Sequence, residues 1–296
     1  NGTTQIIYSI PQVLAVNNVL IVGPTYSDYA DACHLQNVKT TFVLAEAVKN
    51  FQIDIHQIER HIDKADAIFI CNPNNPTGSL IPSDELESLC RSYPETVFII
   101  DESYLPFVPD GDSLSVRKLE YGNLMVLSSI SKIFAIPGLR IGFVISADEI
   151  IEKFKRFLQP WSVNSLAQLA VDFLTTNEDE VEEFVERTRN FIIAERQRFL
   201  EAATKISDLQ LFPSATNFLL AGLPEGLQSE PFISQLAHDK ILLRNCQNFE
   251  GLTNRFIRVS LKTPEVNNML VAKLAKIAWN TGTRIRQPKI EIRARR

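Results

Sequence analysis

The chain has 296 residues, 45% of them hydrophobic, with a formal net charge of −5. That is enough apolar material for one large core or two unequal ones, and the charge balance offers no basic stripe for nucleic acid. Arginines gather only toward the end, from Arg284 to Arg296, which reads as a solvated tail. Cys33, Cys71, Cys90 and Cys246 form no CxxC pair and the histidines are dispersed, so neither a zinc site nor a disulfide framework is expected, and a reducing cytoplasm fits. No apolar run reaches membrane-spanning length, and no signal-peptide pattern opens the chain.

The chain opens on NGTTQII, a turn-like pair followed by helix-forming sequence with no strand or cap before it, a start that predicts residues upstream. Short apolar runs bounded by turn residues follow: NVLIVGP (18–24), AIFICNP (67–73), TVFIIDES (96–103), LMVLSSIS (124–131) and RIGFVIS (140–146). Their β-branched content predicts buried strands. Between them lie amphipathic stretches such as SDELESLCRSY (83–93), with Ser83 or Asp84 placed to cap a helix. Strands alternating with helices predict an α/β fold: a mostly parallel sheet in three layers, covered on both faces.

Beyond residue 148 the pattern changes. DEIIEKFKRFL opens a helical stretch, and residues 178–206 read as one long, charged, amphipathic helix. NFLLAGL (217–223) and RFIRVSL (255–261) read as strands of a smaller α+β region, closed by a helix over NNMLVAKLAKIAWN (267–280). The expected organisation is a large domain over 1–160, an interdomain helical region over 161–206, a small C-terminal domain over 207–282 and a basic tail over 283–296.

Functional residues in open α/β sheets collect at the C-terminal ends of the strands. Here those ends carry Tyr26, then Asn75 in CNPNNPTG, then Asp101 and Tyr104 in DESY, then Ser129, Ser131 and Lys132 in SSISK, with Arg140 before the next strand. Together they suit a flat, phosphorylated, nitrogen-containing ring. Asp101 could keep a ring nitrogen protonated, Asn75 and Tyr104 could bond a ring hydroxyl, and Tyr26 could stack on the ring face. Ser129, Ser131 and Arg140 offer donors to a phosphate, joined by backbone N–H groups where a helix opens at Gly2, Thr3 and Thr4. Lys132, a lone cation among apolar neighbours, would be the amine that joins covalently to the ring's aldehyde.

NPNNPTG, DESY, SxSK and an arginine eight residues after the lysine, in that order, resemble the fold-type I pyridoxal-phosphate enzymes of aminotransferase class I/II, over residues 1 to about 280. The resemblance implies pyridoxal 5'-phosphate as cofactor, catalysis by Lys132 with Asp101 and Tyr104, a small-molecule amino acid or amino phosphate as substrate, and a homodimer. QPWSVNSLAQ (159–168) and residues 241–274 are similar to L-threonine-O-3-phosphate decarboxylases of cobalamin biosynthesis, within the branch that holds histidinol-phosphate aminotransferases. By that similarity Arg258 would hold the substrate carboxylate, Arg244 its phosphate, and Asn164 would approach the substrate or the ring; Asn164 could instead cap a helix, Arg244 could be a surface residue at a strand end, and Arg258, alternating within a strand, could face solvent. The family's N-terminal arm and its upstream tyrosine have no counterpart in this sequence. The activity expected is decarboxylation of L-threonine O-3-phosphate to (R)-1-aminopropan-2-yl phosphate. The alternative is amino transfer of histidinol-phosphate type with 2-oxoglutarate. A non-catalytic sensor on the same fold stands further off, because Lys132 is present and no helix-turn-helix is visible.

Overall fold

The computed structural model describes residues 1–204, 206 and 208–280; the basic tail and the end of the small domain expected to close at 282 lie outside the described residues. Helix α1 (Gly2–Leu14) leads into strand β1 (Asn18–Gly23), helix α2 (Asp28–Leu35) and strand β2 (Lys39–Leu44). Helix α3 (Ile55–Ile62), capped by the Asp54 side chain, precedes β3 (Ala67–Cys71), and α4 (Ser83–Ser92) precedes β4 (Val97–Asp101). The short α5 (Gly111–Leu114), β5 (Leu124–Ser128), β6 (Phe143–Ser146) and α6 (Asp148–Lys155) complete this part.

The six strands form one sheet in the order β2-β1-β3-β4-β5-β6, parallel throughout except for the antiparallel pair β5/β6. Successive residues of a strand face opposite sides. Ile21, Phe69, Ile99 and Met125 therefore enter the core under α1, α2 and α6. Leu20, Ile68, Phe98 and Val126 enter a second core on the other side, under α3 and α4. Burial on both faces explains the unbroken apolar runs of β1, β3, β4 and β5. RIGFVIS, expected as a buried strand, is instead the edge strand β6, with none of its four residues buried. Strand β2, at the opposite edge, shows no such run because its solvent-facing positions carry a lysine and threonines: only Val43 is buried in KTTFVL. The expected cap of α4 is corrected too. The helix starts at Ser83 with Pro82 at the cap position, and no side chain caps it.

Helices α7 (Ser165–Thr176) and α8 (Glu178–Ala203) follow, the latter along the predicted long amphipathic stretch. A second, antiparallel sheet has the order β7-β8-β10-β9, built from β7 (Gln210–Leu211), β8 (Phe218–Gly222), β9 (Arg244–Asn245) and β10 (Phe256–Ser260). Helices α9 (Ser229–His238) and α10 (Pro264–Asn280) pack on it with α8. Phe107 and Ile133, from loops of the first sheet, join this core, so the two sheets share packing. Among the described residues no helix is long and apolar enough to cross a membrane.

Candidate active site

Strand β1 lies between β2 and β3, so the connections leaving the C-terminal ends of β1 and β3 run to opposite sides of the sheet and open a crevice there. The asparagines of CNPNNPTG hold its walls. Asn74 accepts from Thr25 Oγ1 at 2.7 Å and donates to the Pro24 carbonyl at 2.8 Å, tying the loop after β3 to the loop after β1. Asn72 exchanges two bonds with the Ile81 backbone, at 3.0 and 2.8 Å, which closes the loop on itself. Asn75 is left facing the crevice, nearly buried, and its Oδ1 accepts from Arg258 Nη1 of the small sheet.

A pocket of about 360 Å³ occupies the crevice, within the usual size range for small-molecule sites. Every residue expected at the site lines it except Asn164. Asn164 caps α7 instead, accepting from Ala167 N at 2.9 Å and donating to the Leu139 carbonyl at 2.9 Å.

Asp101 ends β4 and is only 5% exposed. Its Oδ2 accepts from the Tyr29 hydroxyl at 2.8 Å and its Oδ1 from Ser103 N at 2.9 Å, and among the described residues it has no ion-pair partner. A buried carboxylate served only by neutral donors favours a cation beside it. Tyr104 packs edge-on against Phe218, with ring centroids 5.0 Å apart, and burial pushes its phenol up to about 12. Lys132 Nζ lies 5.8 Å from the Tyr104 ring centroid. Burial holds the Lys132 ammonium below its ordinary acidity range; Asp101 opposes that shift while Arg258 and Arg140 add to it. The result is an amine that sheds its proton more readily than a surface lysine, as a nucleophile requires.

The far end of the pocket is built for an anion. Gly2, Thr3 and Thr4 bring the first turn of α1 to it, beside the nearly buried Ser129 and Ser131. Gly142 lets that turn approach: a Cβ there would lie 2.6 Å from Thr3 N. Gly2 has φ +73°, and a Cβ on it would lie 2.7 Å from Arg140 Nη2, so only glycine leaves the guanidinium in place. A helix N-terminus, two hydroxyls and an arginine converge there.

At the other side stand the small sheet's two arginines. Arg258 on β10 and Arg244 on β9 are directly opposed across the antiparallel ladder, which sets their Cβ atoms roughly 4.5–5.5 Å apart. The Arg258 guanidinium lies 4.8 Å from the Phe218 ring centroid, and its Nε is buried without a partner. Arg244 lies 5.3 Å from the Phe249 ring centroid and donates to Asn248 Oδ1 at 2.8 Å.

Residues 1–274 match the family described as aminotransferase class I and II. The chain belongs to this family. Among its relatives is the adenosylcobalamin biosynthesis bifunctional protein CobDQ of Leptospira interrogans, 30% identical over 98% of this chain; the chain spans 33% of that protein's length. Two solved structures superpose closely. The histidinol-phosphate aminotransferase of Clostridium acetobutylicum has a TM-score of 0.85 at 30% identity, covering 94% of this chain and 82% of that one. The L-threonine-O-3-phosphate decarboxylase of Porphyromonas gingivalis has a TM-score of 0.80 at 27% identity, with the same two coverages. Members of the class I and II family are pyridoxal-phosphate enzymes, and this chain is one of that kind. The donor set fits the cofactor: a buried carboxylate with no ion-pair partner among the described residues, a lysine whose pKa burial lowers, and a glycine-lined cradle that a Cβ would fill.

Sequence reading missed three contributors. Tyr29, the second tyrosine of TYSDY, lies beneath Asp101; Asn74 fastens the loops; Phe249 floors Arg244. None has a spacing signature, because each acts through a partner distant in the chain.

Proposed function

We propose that the protein decarboxylates L-threonine O-3-phosphate to (R)-1-aminopropan-2-yl phosphate. The observation that carries this reading is the cross-strand pair Arg244/Arg258. Like charges directly opposed across a ladder are unfavourable, and among the described residues neither arginine has a carboxylate partner. Two such cations beside one pocket suit a substrate with two anionic groups. Phosphothreonine has a carboxylate and a phosphate on the amino substrate itself; in the alternative histidinol phosphate has the phosphate alone, and the substrate with two anionic groups is 2-oxoglutarate. Likeness to both a decarboxylase and a histidinol-phosphate aminotransferase supports the class of chemistry.

In this reading Asp101 would pair with the cofactor's ring nitrogen, Asn75 and Tyr104 would bond its hydroxyl, and Tyr26 would stack on the ring. The first turn of α1, Ser129, Ser131 and Arg140 take its phosphate. Bound there, the cofactor supplies a sink for the electron pair released when a bond to the substrate's α-carbon breaks. Arg258 takes the carboxylate and Arg244 the substrate phosphate, each contact worth roughly 1.5–3 kcal/mol as a charged hydrogen bond. Held at both ends, the substrate has its α-carbon substituents fixed in orientation, which selects the bond that breaks. Lys132, once its amine is free, carries the proton that replaces CO2 at the α-carbon.

The test is incubation of the full-length, cofactor-loaded enzyme with L-threonine O-3-phosphate, reading CO2 release and 2-oxoglutarate-dependent amino transfer side by side. CO2 release without amino transfer is expected. Amino transfer from histidinol phosphate with no CO2 from phosphothreonine overturns the reading in favour of the aminotransferase. A homodimer belongs to the same proposal, checked by sedimentation at micromolar concentration.

A further inference from the structure

Tyr29 is fully buried. Its ring stacks on Phe69, with centroids 4.7 Å apart and planes 11° from parallel, and meets the Tyr26 ring edge-on at 5.7 Å. So confined, the side chain has its hydroxyl 2.8 Å from Asp101 Oδ2, while the backbone N–H of Ser103 takes the other oxygen. Burial, and then the charge on Asp101, hold the phenol protonated, so it remains a donor at every working pH. The neighbouring Cys71 thiol donates to the Pro73 carbonyl at 3.3 Å and is no substitute. A hydrogen bond to an ionised carboxylate is about twice as strong as a neutral one, and two donors on different oxygens fix the carboxylate's plane.

We propose that Tyr29 is the positioning residue for the cofactor ring: its hydroxyl fixes the Asp101 carboxylate that pairs with the ring nitrogen, and its ring edge fixes Tyr26, which covers the ring face. This rests on the reading of Asp101 as the nitrogen's partner. Tyr29 thus couples two ring contacts that come from different strand ends, one after β1 and one at β4.

The experiment compares full-length wild type, Tyr29→Phe, Asp101→Asn and the double variant. Phe keeps the stacking on Phe69 and the edge contact with Tyr26, and removes only the hydroxyl. Losing one charge-assisted bond predicts cofactor dissociation constants raised roughly tenfold or more in Tyr29→Phe, read by titration of the bound cofactor's visible band. The melting midpoint of the cofactor-free protein, measured alongside, reports whether packing survives. The turnover number should fall by a similar factor while KM stays within about twofold, since the proposal has Tyr29 act through Asp101 and Tyr26 and not on the substrate. In the Asp101→Asn background the same change should have far less effect, because its target is gone. Tyr29→Phe that binds cofactor and turns over as wild type overturns the proposal, and so does an effect of equal size in both backgrounds. Wild-type cofactor affinity and turnover in Asp101→Asn alone would instead remove the reading of Asp101, a distinguishable failure.

Discussion

Gly78 closes the CNPNNPTG loop at φ +73°, and a Cβ built on it would lie 2.6 Å from Ser214 Cβ and 2.9 Å from Ser214 Cα. Alanine there incurs two costs. The left-handed conformation is about 1–2 kcal/mol worse for any residue with a Cβ. Overpacking against a backbone that cannot swing away adds about 1–3 kcal/mol. Together Gly78→Ala should lose roughly 2–5 kcal/mol, or about 4–20 °C in melting midpoint for a chain of this size. The Ala215 N–H bond to the Gly78 carbonyl, 2.8 Å, lies in the same contact, and Asn75 with its Arg258 partner sits three residues earlier, so cofactor affinity should fall as well. Circular dichroism melts with and without cofactor measure both. Ser214→Gly relieves the Cβ overlap but forfeits the Ser214 Oγ contacts to Thr216 N (3.1 Å) and Thr216 Oγ1 (2.9 Å). The double variant should therefore be about 1–2 kcal/mol more stable than the sum of the singles predicts. Strict additivity, or a Gly78→Ala midpoint within a degree of wild type, would refute this account of the loop.

Lys132→Ala should abolish the visible band of the bound cofactor, and a cofactor adduct trapped by borohydride on another lysine would contradict it. Because burial lowers the Lys132 pKa, the rate of cofactor attachment to the cofactor-free protein should rise with pH, as the ammonium gives way to the amine. It should level off with a midpoint below the ordinary lysine value of about 10.4. Asp101→Asn removes the charge that opposes the shift, so that midpoint should fall further; a midpoint at or above 10.4 counts against the assignment. Arg244→Gln should leave the visible band intact and lower kcat/KM for phosphothreonine by about tenfold to a hundredfold, which steady-state kinetics would read. Asn164→Ala should destabilise the protein by about 1 kcal/mol through loss of the α7 cap, measured by denaturant midpoint.

The rim of the pocket was legible because parallel strands buried on both faces write themselves as apolar runs, and each run leads to the residue it delivers: Asp101 as the last residue of β4, Asn75 and Lys132 just beyond the ends of β3 and β5. Edge strand β2 and the two-residue strands β7 and β9 leave no such run. The bond between Asn75 and Arg258 spans 183 residues, and the opposition of Arg244 to Arg258 depends on the register of an antiparallel pair. Neither follows from local pattern. Asn164 shows the limit from the other side: asparagine before an apolar helix is a sound cap signal, and the cap is what the structure realises.

The two arginines and the proposed cofactor residues hang from separate sheets, which meet at the pocket through the Asn75–Arg258 bond and the Tyr104–Phe218 contact. Under the proposed roles, a change at Arg244 on β9 alters what the pocket accepts while Asn75, Asp101 and Lys132 stay untouched, whereas one at Arg258 on β10 also removes the partner of Asn75. Substrate choice is then an evolvable module: a library confined to β9 and the loop after it should yield variants with new preferences that still carry the cofactor, whereas the same mutational load at the ends of β1, β3, β4 and β5 should yield mostly unloaded protein.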